Sequence, residues 1–184
     1  MPIREELLAV LENYQEARKD AFKDHPMAQR IRVVFPTTVG SVFPADDSLI
    51  FAVGSPGKGN WVSGPWVAVF DRLVTQSAQN GFYPVYLFAE DTSRVYLSLN
   101  QAMTEAKKRY KASAKIALKA RAINFRAMLG SNIQPFNHDE IDLTPAHSRS
   151  NTAFYQAGNI CSICYSADDM PSEEVLVSHL TRAL

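Results

Sequence analysis

The chain has 184 residues, 46% of them hydrophobic and 21% charged, which suits one globular domain and excludes a disordered or collagen-like polymer. Nineteen Lys plus Arg balance nineteen Asp plus Glu, so attraction of the whole molecule to nucleic acid or anionic lipid is excluded, and any such binding has to come from local asymmetry. No apolar run approaches the roughly 18 to 20 residues that span a bilayer, residues 1–20 carry charges at nearly every turn, and the two cysteines cannot staple a domain of this size; the expectation is a soluble, cytoplasmic protein with no membrane partner.

In chain order, Ile3, Leu7, Leu8, Leu11, Tyr14, Ala17 and Ala21 recur at helical spacing and predict an amphipathic helix over 3–23, stopped at His25-Pro26. A second helical stretch starts near Met27 and is broken or restarted at Pro36, so residues 1–45 read as a helical N-terminal region. Leu49 to Val53 predicts a strand entering the tight loop Gly54-Ser55-Pro56-Gly57. Segments 66–70, 83–89 and 94–99 are aromatic and β-branched, the last two joined by a hairpin-like connection, and predict a mainly antiparallel sheet. Residues 101–128 lack Gly and Pro and are rich in Ala, Lys and Arg, which predicts one long helix. The polar stretch 131–150 predicts a long loop, 153–165 a further strand, and Pro171-Ser172-Glu173-Glu174 the start of a terminal helix. That helix stops in mid-pattern at Leu184, from which a longer natural polypeptide is expected. The fold expected is α+β: a mixed, mainly antiparallel central sheet flanked by helices, in a single domain over 1–184.

Three constellations invite a functional reading. The loop from Gly54 to Trp61 has the glycines and the lysine of a phosphate loop but the wrong spacing: Lys58 is followed by Gly59 and Asn60, not by a hydroxyl opening a helix. What remains is a flexible, cationic, aromatic-flanked loop, or simply a glycine turn between strands. In the aromatic set, strand alternation puts Trp66, Ala68 and Phe70 on one face and likewise Tyr83, Val85 and Leu87, while Tyr86 and Phe88 point the other way; one face can therefore hold an aromatic pocket. The 101–128 segment carries eight Lys or Arg against the single Glu105, and Lys108, Lys111, Lys115 and Lys119 fall on one helical stripe. Such a stripe is commonly a solvated face, but repulsion along it makes a phosphate backbone a credible partner, with Lys111, Lys115 and Lys119 as phosphate contacts.

Catalytic and metal signals are weaker. Cys161 and Cys164 stand alone, with no second ligand pair at zinc-site spacing, and a strand puts them on opposite faces. His138-Asp139-Glu140 has donors for a metal, yet contiguous polar loop residues are more often merely solvated. No catalytic residue, metal site or cofactor is expected.

Taken together, Gly54 to Trp61, Pro65 to Phe70, Ser77 to Phe88 and Val95 to Asn100 resemble the N-terminal DNA-binding domain of McrB-type modification-dependent restriction proteins, strongly over 49–100 and also over 153–184. The resemblance implies a non-catalytic specificity module, working with a GTP-hydrolysing motor or nuclease as a separate domain or subunit, that binds 5-methyl-type cytosine in double-stranded DNA and swings it into an aromatic pocket. Matched residue by residue, it assigns the pocket to Trp66, Tyr83, Leu87 and Tyr155 and the DNA-facing loop to Lys58, Asn60 and Trp61. Lys58 stands where an aromatic wedge fills the vacated base site, so either Trp61 plugs the gap or flipping is handled differently. The alternative reading is a protein-interaction module that recruits a nuclease partner through the aromatic face.

Overall fold

A computed structural model describes residues 2–44 and 48–184; Met1 and Ala45, the two ends of the expected helical region, lie outside them. Helix α1 spans Ile3–Ala17 and buries Ile3, Leu7, Val10, Leu11, Tyr14 and Ala17. It ends six residues earlier than its apolar spacing suggests. Lys19 N–H and Asp20 N–H bond back to Glu16 and Ala17 carbonyls in a tighter turn, which brings Phe22 and His25 onto the Trp61 ring at 5.0 and 5.1 Å. Pro2 offers α1 no side-chain cap, and the cap comes from far along the chain: the Glu173 carboxylate accepts from Ile3 N–H at 2.8 Å and Arg4 N–H at 2.9 Å.

Helix α2 (Pro26–Gln29) starts on a His25 cap, whose Nδ1 accepts from Met27 N–H. It continues through a π-helical turn, Arg30–Val34, into α3 (Phe35–Gly40). The chain is therefore not broken at Pro36. The wider turn makes room for a ring that cannot donate to the preceding turn.

Strands β1 (Ile50–Ser55), β2 (Trp66–Asp71), β3 (Phe82–Phe88), β4 (Val95–Gln101) and β5 (Asn159–Tyr165) form one antiparallel sheet in sequence order. Pro84 is tolerated inside β3 because the β2–β3 register runs only from Trp66↔Leu87 to Ala68↔Val85, short of the proline. The α+β expectation and the antiparallel sheet are thus both observed, with every strand pair antiparallel.

Alternation divides the sheet into two faces. On the first, Val67, Val69, Tyr86, Phe88, Val95 and Leu97 pack under α1, the α2–α3 region and α7 (Glu173–Ala183). On the second, Ala68, Phe70, Tyr83, Val85, Leu87 and Tyr96 form a smaller cluster, closed by Ile141 and Leu143 from the long connection. That connection is fastened at several points: Glu90 N–H donates to Leu143 O, Asp142 N–H to the Tyr96 hydroxyl, and Leu143 N–H to Gln156 Oε1.

Two expected elements are corrected. The stretch 101–128 is a hairpin of α4 (Met103–Tyr110) and α5 (Ala114–Leu129), turning at Lys111 with φ 48°. In one straight helix, Ala106 and Leu118 would stand about 18 Å apart. Here both are buried in the same small cluster with Ala114, Ala157 and Phe154, and this packing outweighs local propensity. The stretch 153–165 is not one strand: α6 (Asn151–Gly158) precedes β5, capped by the Ser150 hydroxyl, which accepts from Ala153 N–H.

Candidate nucleic-acid interface

Trp66 opens β2, Leu87 lies opposite it on β3, Tyr83 sits further along the same face of that strand, and Tyr155 comes down from α6. All four side chains belong to the second-face cluster. Trp66 and Tyr155 pack against the cluster, and the Tyr83 hydroxyl donates to Ala78 O at 3.1 Å while its ring packs 4.9 Å from Phe70. Burial raises both phenols above their ordinary pKa, so both stay protonated at neutral pH.

Access to the four is uneven. Tyr83 and Leu87 are 5% and 2% exposed, whereas Trp66 and Tyr155 are half-buried. Tyr83 and Leu87 form a floor, and Trp66 with Tyr155 its more exposed rim.

Beneath Tyr155 lies a polar ladder that sequence reasoning did not single out. Asn100, directly across from Tyr83 in the register, donates from Nδ2 to Tyr155 O at 2.9 Å and to Ser98 Oγ at 3.1 Å, and Ser98 in turn donates to Asn159 Oδ1 at 2.7 Å. A Cβ at Gly158 would stand 2.5 Å from Asn100 Oδ1 and 3.0 Å from Gln101 O, so only glycine lets α6 sit this low. The available signal was Tyr96, Ser98 and Asn100 alternating along β4: two polar residues on a face that has to be covered.

The loop between β1 and β2 is held at its base and open at its tip. Gly57, with φ 125°, makes the turn, Val62 N–H bonds Pro56 O, and the Tyr14 hydroxyl donates to Val62 O at 2.7 Å. Lys58, Gly59 and Asn60 are exposed. Trp61 is an anchor: its indole N–H donates to Asp20 O at 2.9 Å, and Tyr14, Phe22 and His25 surround the ring edge-on. Lys58 and Asn60 are thus exposed at the tip of the loop, and Trp61 is engaged at its base. The far end of the loop touches α6, since a Cβ on Gly64 would lie 3.4 Å from Thr152 Oγ1.

The helix break disperses the expected lysine stripe. Lys111 is at the turn, Lys115 Nζ donates to Ser148 O at 2.8 Å, and Lys119 stands 4.0 Å from Glu140. Lys107, on the other arm, donates to Asn151 Oδ1 at 2.9 Å and lies over the Phe154 ring; its place near Lys115 is a tertiary fact with no local sequence signal.

Neither cysteine is set up as a nucleophile: they lie on opposite faces, and burial pushes the Cys161 thiol up to about 11 and raises Cys164. His138 is exposed; its backbone N–H bonds Ser162 O, and its ring stands edge-on to Tyr96. Among the described residues, no group of three or more His, Cys, Asp or Glu could hold a metal ion, and no helix is long and apolar enough to cross a membrane.

The family described as MrcB-like, N-terminal domain, matches residues 9–184. A comparison with curated proteins finds no match.

Proposed function

The chain belongs to the MrcB-like N-terminal domain family, and from that premise we propose that it is the DNA-recognition domain of a modification-dependent restriction system, reading 5-methyl-type cytosine in double-stranded DNA by taking the base into the second-face cluster. The observation that carries this reading is the convergence of Trp66, Tyr83, Leu87 and Tyr155 from three separate elements into one cluster, away from the main core. The single domain over 1–184 then recognises DNA, and cleavage falls to a nuclease or GTP-hydrolysing motor, as another domain or subunit, acting in the cytoplasm against incoming phage DNA.

The energetics are balanced finely enough to make such a site selective. Extruding a base costs a few kcal/mol, and stacking on an aromatic ring returns about 1–3 kcal/mol per base. Uncovering the buried Tyr83 and Leu87 adds to the cost. A methyl group buried on the apolar floor contributes about 0.8 kcal/mol, so preference for the modified base is modest by area alone and grows where the floor excludes water from the gap beside plain cytosine. Lys58 and Asn60 occupy the DNA-facing loop, with Trp61 fixing its base. Lys111, Lys115 and Lys119 are phosphate contacts, of which Lys119 is the weakest candidate because Glu140 competes for it.

Support for the aromatic face as a protein interface is smaller, because Tyr83 and Leu87 offer almost no accessible surface to a flat partner. A duplex carrying a fluorescent base analogue beside the modified cytosine tests the flipping step. Emission should rise on binding of the wild type and stay low with Tyr155→Ala; no rise with the wild type would remove base extrusion from the account.

A further inference from the structure

Resting on the DNA-binding reading, we propose that Lys107 and Lys115 form a two-ammonium clamp for a single backbone phosphate, seated over the Phe154 ring next to the base pocket. The α4–α5 hairpin folds back so that both side chains reach the same ring: Lys107 Nζ lies 4.1 Å and Lys115 Nζ 5.8 Å from the Phe154 centroid. Their hydrogen-bond partners are neutral oxygens, Asn151 Oδ1 and Ser148 O. Among the described residues, neither ammonium has a carboxylate within ion-pair distance.

The other end of the same helix is different. Lys119 stands 4.0 Å from Glu140 and Arg126 3.7 Å from Asp139, so the acidic connection offsets charge further along α5 and does not reach Lys107 and Lys115 at the Phe154 end. Burial lowers the pKa of Lys107, so its ammonium is held partly desolvated with no counter-charge among the described residues. An anion beside the two lysines supplies that counter-charge.

Position on α6 identifies the anion. Phe154 carries the lysines, and the next residue, Tyr155, joins the base pocket. Thr152, on the preceding turn, touches the end of the Lys58 loop. One short helix thus presents an anion seat and an aromatic seat side by side, which matches a nucleotide with its phosphate and fits an acidic peptide poorly, since a peptide has no use for the adjoining aromatic floor.

The test is the salt dependence of duplex binding for the wild type, Lys107→Gln, Lys115→Gln and the double variant, with Arg182→Gln as a control for loss of one surface charge far from the site. The double variant should bind methylated and unmodified duplexes more weakly by the same factor, on the order of tenfold, and its slope of log affinity against log salt should fall by about 1, the signature of one lost phosphate. An unchanged slope and affinity would overturn the clamp, and a fall of about 2 would replace it with two separate phosphate contacts. If the wild type binds neither duplex, the DNA reading itself falls. Pyrophosphate then probes the clamp alone: shifts of the Phe154 ring protons that vanish in the double variant would keep an anion site there, and their absence from the wild type would remove it.

Discussion

The two faces of the sheet are built from the same strands yet composed for different ends. Under α1, α3 and α7 the first face is aliphatic and aromatic with little polar content, and Val67, Val69, Val95 and Leu97 are fully buried. The second face mixes Trp66, Tyr83 and Tyr96 with Ser98 and Asn100, and its cover is a loop and one short helix held by hydrogen bonds that Asn100 Nδ2 and Glu90 N–H donate and Gln156 Oε1 accepts. A face sealed by long helices supplies stability through apolar area. A face covered by hydrogen-bonded pieces is closed in the free protein and can open locally at lower cost, which is what a base-accepting pocket requires.

Substitutions can break this division in order of effect. Leu97→Ala on the first face should destabilise the protein by about 2–5 kcal/mol, which thermal unfolding would record as a fall of roughly 2–4 °C per kcal/mol; preference for modified DNA should survive at temperatures where the variant is folded. Gly158→Ala drives a methyl to within 2.5 Å of Asn100 Oδ1, so it should cost about 1–3 kcal/mol and, by lifting Tyr155, also lower that preference. Gly40→Ala, in α3 with nothing within 4 Å of the added methyl, should stabilise the protein by about 0.4–1 kcal/mol and leave that preference unchanged.

The smallest effect concerns pH. Glu6 is fully buried, its Oε1 paired with Arg30 at 3.1 Å and its Oε2 without a hydrogen-bond partner among the described residues. Burial raises its pKa, with Arg30 opposing. A carboxyl raised on folding contributes most below its unfolded pKa, and that contribution is lost as pH rises through the folded value. The stability of the wild type relative to Glu6→Gln should therefore decline from acid to neutral pH in denaturant titrations. A difference that grows with pH would show that the Arg30 pairing outweighs burial.

The sheet was legible in the sequence because β2, β3 and β4 combine β-branched and aromatic residues with clear turns, and the alternation allowed Trp66, Tyr83 and Leu87 to face one way, which the β2–β3 register bears out. The α4–α5 hairpin was not legible. Residues 101–128 hold no Gly or Pro to mark a break, and what bends the chain is the packing of Ala106, Leu118 and Phe154 together, which is long-range. Helix α6 was hidden for the opposite reason: Phe154 and Tyr155 run into the apolar residues of β5 and read as one strand, while the decisive Ser150 cap lies just outside the apolar run. Asn100 and Lys107 escaped notice because their significance is where they meet α6, and nothing local marks it.

The central claim is that the second-face cluster distinguishes modified from plain cytosine. The most direct measurement is the affinity of the wild type and of Trp66→Ala for two duplexes identical except for one 5-methyl group. The wild type should hold the methylated duplex about fourfold tighter or better, the equivalent of one buried methyl; Trp66→Ala should bring the ratio to unity while remaining folded. Equal affinity of the wild type for both duplexes, or a ratio untouched by the loss of Trp66, would contradict it.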